Sequence, residues 1–209
     1  MVRRHFRLLV LLWLLFTSVG CRQQANPAPT DSEFWPVPDF SLSDQDGQTV
    51  QRKDLLGHIW IASFIFTRCT SFCPQVTATV AQLQPEILQQ QDVLLVSISV
   101  DPDHDTPAVL KEYSKKFGAD TKRWRFLTGD QEKVYRLIQD GFKDTAVQNQ
   151  GPARTPGNEV IHSSRLFLVD RKGVIRGYFE GRQVDDQGNE ISELPRLKQK
   201  LKELLQEQP

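Results

Sequence analysis

The stretch Ile59–Pro74, IWIASFIFTRCTSFCP, constrains this chain more than any other. It opens as an apolar, β-branched and aromatic run from Ile59 to Phe66, which predicts a buried strand. It closes as Thr67-Arg68-Cys69-Thr70-Ser71-Phe72-Cys73-Pro74, where two cysteines stand four apart beside a proline suited to open a helix. The third cysteine, Cys21, sits at the end of an N-terminal leader. Redox or metal chemistry in the mature domain therefore centres on Cys69 and Cys73 or is absent.

That position gives both thiols a reason to ionise. A sulfur at a helix N-terminus faces unpaired backbone N–H groups and the positive end of the helix dipole, and Arg68 adds a cation next door. The thiolate is at once the nucleophile of disulfide exchange and a ligand for a soft metal. Four positions of separation let the sulfurs meet, in a disulfide or on one ion, if Thr70-Ser71-Phe72 turns. A purely structural disulfide is the plainer alternative, but one closing so short a loop would stabilise little.

The N-terminus reads as a targeting segment over residues 1–20. Arg3, Arg4 and Arg7 make a positive start, and Leu8–Phe16 is nine consecutive apolar residues, the size of a signal core and well short of the roughly 20 needed to span a bilayer. Ser18-Val19-Gly20-Cys21 is similar to a bacterial lipobox, with Ser18 where an aliphatic residue is usual. It predicts cleavage and lipidation at Cys21, and thus a protein exported to the extracytoplasmic face of a bacterial membrane, where a cysteine pair can oxidise. Residues 21–38, with four of the twelve prolines, read as a tether. Residues 39–209 then form one domain. Without the leader, 23 basic residues face 26 acidic ones, and no basic patch points to nucleic acid.

Within the domain, Asp39–Gln51 predicts a β-hairpin around Asp46-Gly47, ahead of the strand Ile59–Phe66. Val76, Val80, Leu83 and Ile87 share one helix face over Pro74–Gln90, with Pro85 kinking or splitting it. Asp92–Val100 is a second buried strand, Pro107–Phe117 a helix, Trp124–Leu127 a short strand and Asp130–Gly141 another helix. Lys143–Glu159 shows little periodicity and reads as a long, flexible excursion. Ser164–Val169 and Val174–Phe179 form a second hairpin, and Leu194, Leu197, Leu201, Leu204 and Leu205 mark a closing amphipathic helix. Strands alternating with helices, followed by a late hairpin, predict an α/β domain with a mixed central sheet flanked by helices. A thiol pair at the first central strand-to-helix junction is the layout of a thioredoxin-like fold.

His162 is the third residue of interest. It stands just before the strand Ser164–Val169, where a thioredoxin-like layout brings the chain against the dithiol. Thioredoxins place a cis-proline there; this chain has Val160-Ile161-His162-Ser163. Two sulfurs and one imidazole favour Cu(I), accept Cu(II), and fall one ligand short of a structural zinc site. His58 precedes a strand at a turn. His104 lies among acids and would be a late, exchangeable ligand. Asp101, Asp103, Asp105 and Glu112 mimic EF-hand spacing, but Thr106 replaces the required glycine and a strand precedes the loop, so a helix-capping loop is the better account.

FTRCTSFCP, SISVDPDHDTPAVLKEYSKKFGA and VIHSSRLFLVDRKGVIRGYF, in this order, resemble the Sco/SenC family over roughly residues 40–181. One departure is Thr70, where many members carry proline. The resemblance implies a membrane-tethered thioredoxin-like domain binding one copper ion, Cu(I) or Cu(II), through Cys69, Cys73 and His162. It implies assistance to the dinuclear copper centre of cytochrome c oxidase subunit II or a related copper protein, by copper delivery or by reducing the target's cysteines. A periplasmic copper chaperone and a thiol reductant are the further partners expected. Two rival readings stand beside it. In a thiol–disulfide oxidoreductase, Cys69 would attack and Cys73 resolve. A redox or copper sensor would need a signalling partner. A thiol peroxidase has no support beyond the dithiol.

Overall fold

The computed structural model describes residues 34–184, 187–188 and 190–207, so the leader, Cys21 and the tether up to residue 33 lie outside the described residues. In chain order come β1 (Trp35–Pro36), β2 (Ser41–Ser43), β3 (Thr49–Gln51), β4 (Ile59–Ile65), α1 (Cys73–Ala81), α2 (Gln84–Ile87), β5 (Val93–Ser99), α3 (Pro107–Lys116), β6 (Trp124–Leu127) and α4 (Gln131–Arg136). β7 (Ala146–Gln148), β8 (Val160–His162), β9 (Arg165–Val169) and β10 (Val174–Glu180) follow, then the short pair β11 (Gln183–Val184) and β12 (Glu190–Ile191), and α5 (Leu194–Gln206). The central sheet has the order β1-β10-β9-β4-β5-β6. β4, β5 and β6 run parallel, with Ile59 opposite Val93 and Leu95 opposite Trp124. β9 lies antiparallel against the other side of β4, and β10 and β1 continue antiparallel outward. The mixed sheet expected from the strand and helix patterns is present, and β2 pairs with β3 as the N-terminal hairpin.

Every residue of β4 and β5 is buried, which is why both read as unbroken apolar runs. Alternate side chains serve two layers. Ile59, Ile61 and Ile65 pack with Val76 and Val80 of α1, Leu110 of α3, and Leu197 and Leu201 of α5. Trp60, Ala62 and Phe64 face Val37, Leu42, Val50, Leu137 and Phe142. Each such side chain contributes about 1.5–3 kcal/mol of burial, so the two layers together hold β4 in register. The polar members of these strands are satisfied: the hydroxyls of Ser63 and Ser97 meet at 2.8 Å, and Trp124 Nε1 donates to Ser97 Oγ at 2.9 Å.

Pro85 splits the Pro74–Gln90 helix into α1 and α2, as the sequence led one to expect. Two features depart from the sequence expectations. Ordered packing begins ahead of Asp39, because Trp35 pairs with Ile175 in the sheet and Val37 is buried. The excursion Lys143–Glu159 is not featureless: it carries β7, which pairs antiparallel with β8 and sets Ala146 opposite His162. His162 therefore lies inside a strand. Three-residue strands are too short for alternation to register in the sequence. The chain reaches β7 through a π-helical turn, Leu137–Gly141, and Lys143 in the left-handed region (φ 52°).

Ser97→Ala should expose the value of the buried hydroxyl pair. Leaving Trp124 Nε1 and Ser63 Oγ without partners costs about 2–4 kcal/mol. Urea unfolding should show a lowered midpoint with an unchanged slope. A loss below about 0.5 kcal/mol would contradict this account of the network.

Candidate metal centre

β4 delivers the chain to the carboxyl end of the sheet, where Val100 N donates to Ile65 O at 2.8 Å and locks its last turn to β5. Residues 66–72 then cross that end, and α1 opens at Cys73 with Pro74 in its first turn. Phe72, the residue before the helix, gives no side-chain cap, so no side chain competes with the sulfurs for the first-turn N–H groups. Cys69 and Cys73 are free thiols and both are buried.

His162 meets them from β8. Its Nε2 lies 3.0 Å from Cys73 Sγ, and its Nδ1 lies 2.8 Å from Ser163 O. A carbonyl can only accept, so Nδ1 carries the hydrogen and Nε2 turns a lone pair towards Cys73, the arrangement a ligating imidazole needs. Phe72 and Phe66 hold the ring from two sides, with centroids at 4.8 and 5.7 Å. Ser163 is in turn fixed by donating its hydroxyl to the buried carboxylate of Asp144.

The two thiols differ in acidity. The hydrogen bond that Cys69 accepts from Cys73, aided by the Ser71 hydroxyl 3.3 Å away and opposed by burial, holds Cys69 at about 3. Burial pushes the Cys73 thiol far up, and the neighbouring Cys69 thiolate adds to it. The metal-free dithiol thus keeps its one proton on Cys73, whose sulfur faces both Cys69 and His162 Nε2.

Arg68 stands beside this pair in a charged cluster. Its Nε and Nη2 donate to Asp101 Oδ2 at 3.0 and 2.5 Å, and its Nη1 lies 3.2 Å from Glu159 Oε1. Burial raises the Asp101 carboxyl even against that guanidinium. Among the described residues, the one trio of donor atoms lying within 4.8 Å of one another is Asp101, His104 and Asp105. These oxygens are already engaged: Asp105 accepts from Thr67 N, Thr67 Oγ1 and Ser99 Oγ at 3.0, 2.5 and 2.6 Å, and His104 Nδ1 is 3.0 Å from its Oδ1. With a guanidinium on Asp101, this is a hydrogen-bonded loop capping α3, where Thr106 Oγ1 accepts from Val109 N. It does not bring His104 to the dithiol. His58 sits at the opposite end of β4. Glu159 and Asp144 escaped the sequence reading, because an acid three residues before a histidine and another far upstream form no pattern.

The SCO1/SenC family model matches residues 30–197. A SCO1/SenC family lipoprotein from Bacillus anthracis has a structure similar to this chain, at TM-score 0.71 and 32% identity over 82% of this chain and 96% of its own. BsSco, with a disulfide switch and described as a member of the Sco family of cytochrome c oxidase assembly proteins, matches at TM-score 0.69 and 29% identity over 87% and 100%. Copper-bound ScoI of Bradyrhizobium japonicum matches at TM-score 0.62 and 25% identity over 71% and 92%.

In a soluble form beginning after Cys21, the ultraviolet thiolate absorbance should report one thiolate at pH 5. It should fall only as pH approaches the Cys69 value of about 3. Two thiols that both stay protonated until alkaline pH would contradict this asymmetry.

Proposed function

The chain belongs to the SCO1/SenC family, and from that premise we propose that it is a membrane-tethered extracytoplasmic copper-binding protein assisting assembly of the copper centre of cytochrome c oxidase. Cys69, Cys73 and His162 are the ligands for one copper ion, which is cargo. The observation that carries this reading is the Cys73–His162 contact, with the imidazole in the tautomer that frees Nε2. Two soft sulfurs and an imidazole suit Cu(I) and tolerate Cu(II). Support also comes from the copper-bound ScoI and the oxidase-assembly description of BsSco. Cys73 meets both Cys69 and His162, but the three donor atoms are not all drawn together, so copper capture closes the Cys69 sulfur and His162 Nε2 around the ion. Residues 1–20 are the signal, Cys21 the lipidation site, and residues from 22 onward the tether. Among the described residues, no helix is long and apolar enough to cross a membrane. The expected partners are cytochrome c oxidase subunit II or a related copper protein, a periplasmic copper donor and a thiol reductant.

Thiol–disulfide exchange is the second reading, favoured by the split between an ionised Cys69 and a buried, protonated Cys73. A thiolate this stable also stabilises the reduced dithiol, which makes it a weak reductant of other disulfides and a ready metal site. The same split gives a test. Of the two thiols only Cys73 keeps its proton at pH 7, so uptake of one Cu(I) should release about one thiol proton, not two.

Anaerobic titration of the reduced soluble form with Cu(I) and Cu(II) should give one tight equivalent, weakened by His162→Ala and abolished by Cys69→Ser or Cys73→Ser. Tight stoichiometric binding that survives Cys69→Ser would sink the ligand assignment. Weak copper binding, with disulfide turnover that survives His162→Ala, would move the function to thiol exchange.

A further inference from the structure

Glu159 poses a physical problem that the ligand set does not solve. Its side chain is only 6% exposed, and its Oε2 is buried without a hydrogen-bond partner. A half-satisfied carboxylate out of water is costly unless a charge compensates it. Among the described residues the cation paired with it is Arg68. Arg68 also grips Asp101, which is 1% exposed and lies two residues past the end of β5. One guanidinium therefore spans the loop that carries Cys69, the loop that follows β5, and the segment that carries His162.

Besides this ion pair, that segment meets the dithiol loop through His162, against Cys73, Phe66 and Phe72, and through Gly157. β7 and β8 form a sheet with each other only, separate from the six-stranded sheet. Thr70 N donates to Gly157 O at a long 3.4 Å. Gly157, with φ +84°, sits so close to Thr70 that a Cβ would run into its side chain. Opening the hairpin breaks no central ladder, though it uncovers the buried Ala146, Val160 and His162. Swinging out would return Glu159 to water, and closing restores the ion pair.

We propose that Arg68 is a positioning residue: its paired grip on Asp101 and Glu159 latches the β7–β8 hairpin, and with it His162, over the dithiol. The latch makes closure of the third ligand reversible. Its consequence for copper rests on the reading of His162 as a ligand, whereas the latch itself does not.

The first test is metal-free. Residue-resolved hydrogen exchange on the reduced whole chain compares wild type with Arg68→Met and with Glu159→Gln. The second variant keeps the side-chain shape and leaves the Arg68–Asp101 pair intact. Loss of a buried pair's partner should speed exchange of the 146–162 amides roughly tenfold or more, with β4 and β5 unchanged and Arg68→Lys restoring part of the protection. Unchanged hairpin exchange in both Arg68→Met and Glu159→Gln overturns the latch, as does an equal rise throughout β4 and β5.

The second test follows Cu(I) dissociation to a chelator. Arg68→Met should speed release in the wild-type background and add nothing in His162→Ala, because it acts through that residue. Additive effects overturn the positioning role. If His162→Ala alone leaves release unchanged, the ligand reading fails, and the exchange result still decides the latch.

Discussion

The carboxyl end of the sheet is organised by one contact, Cys73 Sγ to His162 Nε2 at 3.0 Å. It joins the first turn of α1 to a hairpin 89 positions later in the chain. A fully buried thiol has no water to solvate its charged form, so it keeps its proton and needs an acceptor. His162 supplies one because Ser163 O has already taken the Nδ1 hydrogen. Cys69 is the ionised member of the pair because it accepts a hydrogen bond from Cys73, whose own charge burial forbids.

That contact is possible because β4 cannot shift. Its side chains are divided between two packed layers, and a slip of one residue would exchange Ile61 and Ile65 for Trp60 and Phe64 across the sheet. Cys69 and Cys73 are therefore delivered to a fixed place at the strand's end. Rigidity on this side contrasts with the other. The hairpin bearing His162 pairs only with itself, and Phe72, Asp144 and Arg68 position it through side chains. The proposed ligand set, two on a rigid edge and the third on a separately held hairpin, suits an ion that must arrive and leave.

Much of this was legible in the residues because the relevant signals are local. The apolar run Ile59–Ile65, the CxxxCP turn and the helix face Val76–Val80 each declare themselves within a few positions. The place of His162 was legible only by layout, as the residue entering a late strand, and the structure brings it to Cys73. Its membership of a strand was not legible, since β7 and β8 have three residues each and their partners are distant. Glu159 and Asp144 could not be found either. Their importance lies in burial and pairing, with Arg68 and Ser163, which single-sequence patterns do not encode. His104 shows the converse: a histidine among three aspartates invites a metal, yet Thr67, Ser99 and Arg68 already occupy the oxygens.

X-ray absorption at the copper edge of the Cu(I)-loaded protein, compared between wild type and His162→Ala, tests the central claim most directly. A first shell of two sulfurs and one imidazole nitrogen, with the nitrogen's outer-ring scattering lost in the variant, is the predicted result. A sulfur-only shell, or an imidazole signal that persists in His162→Ala, would contradict it.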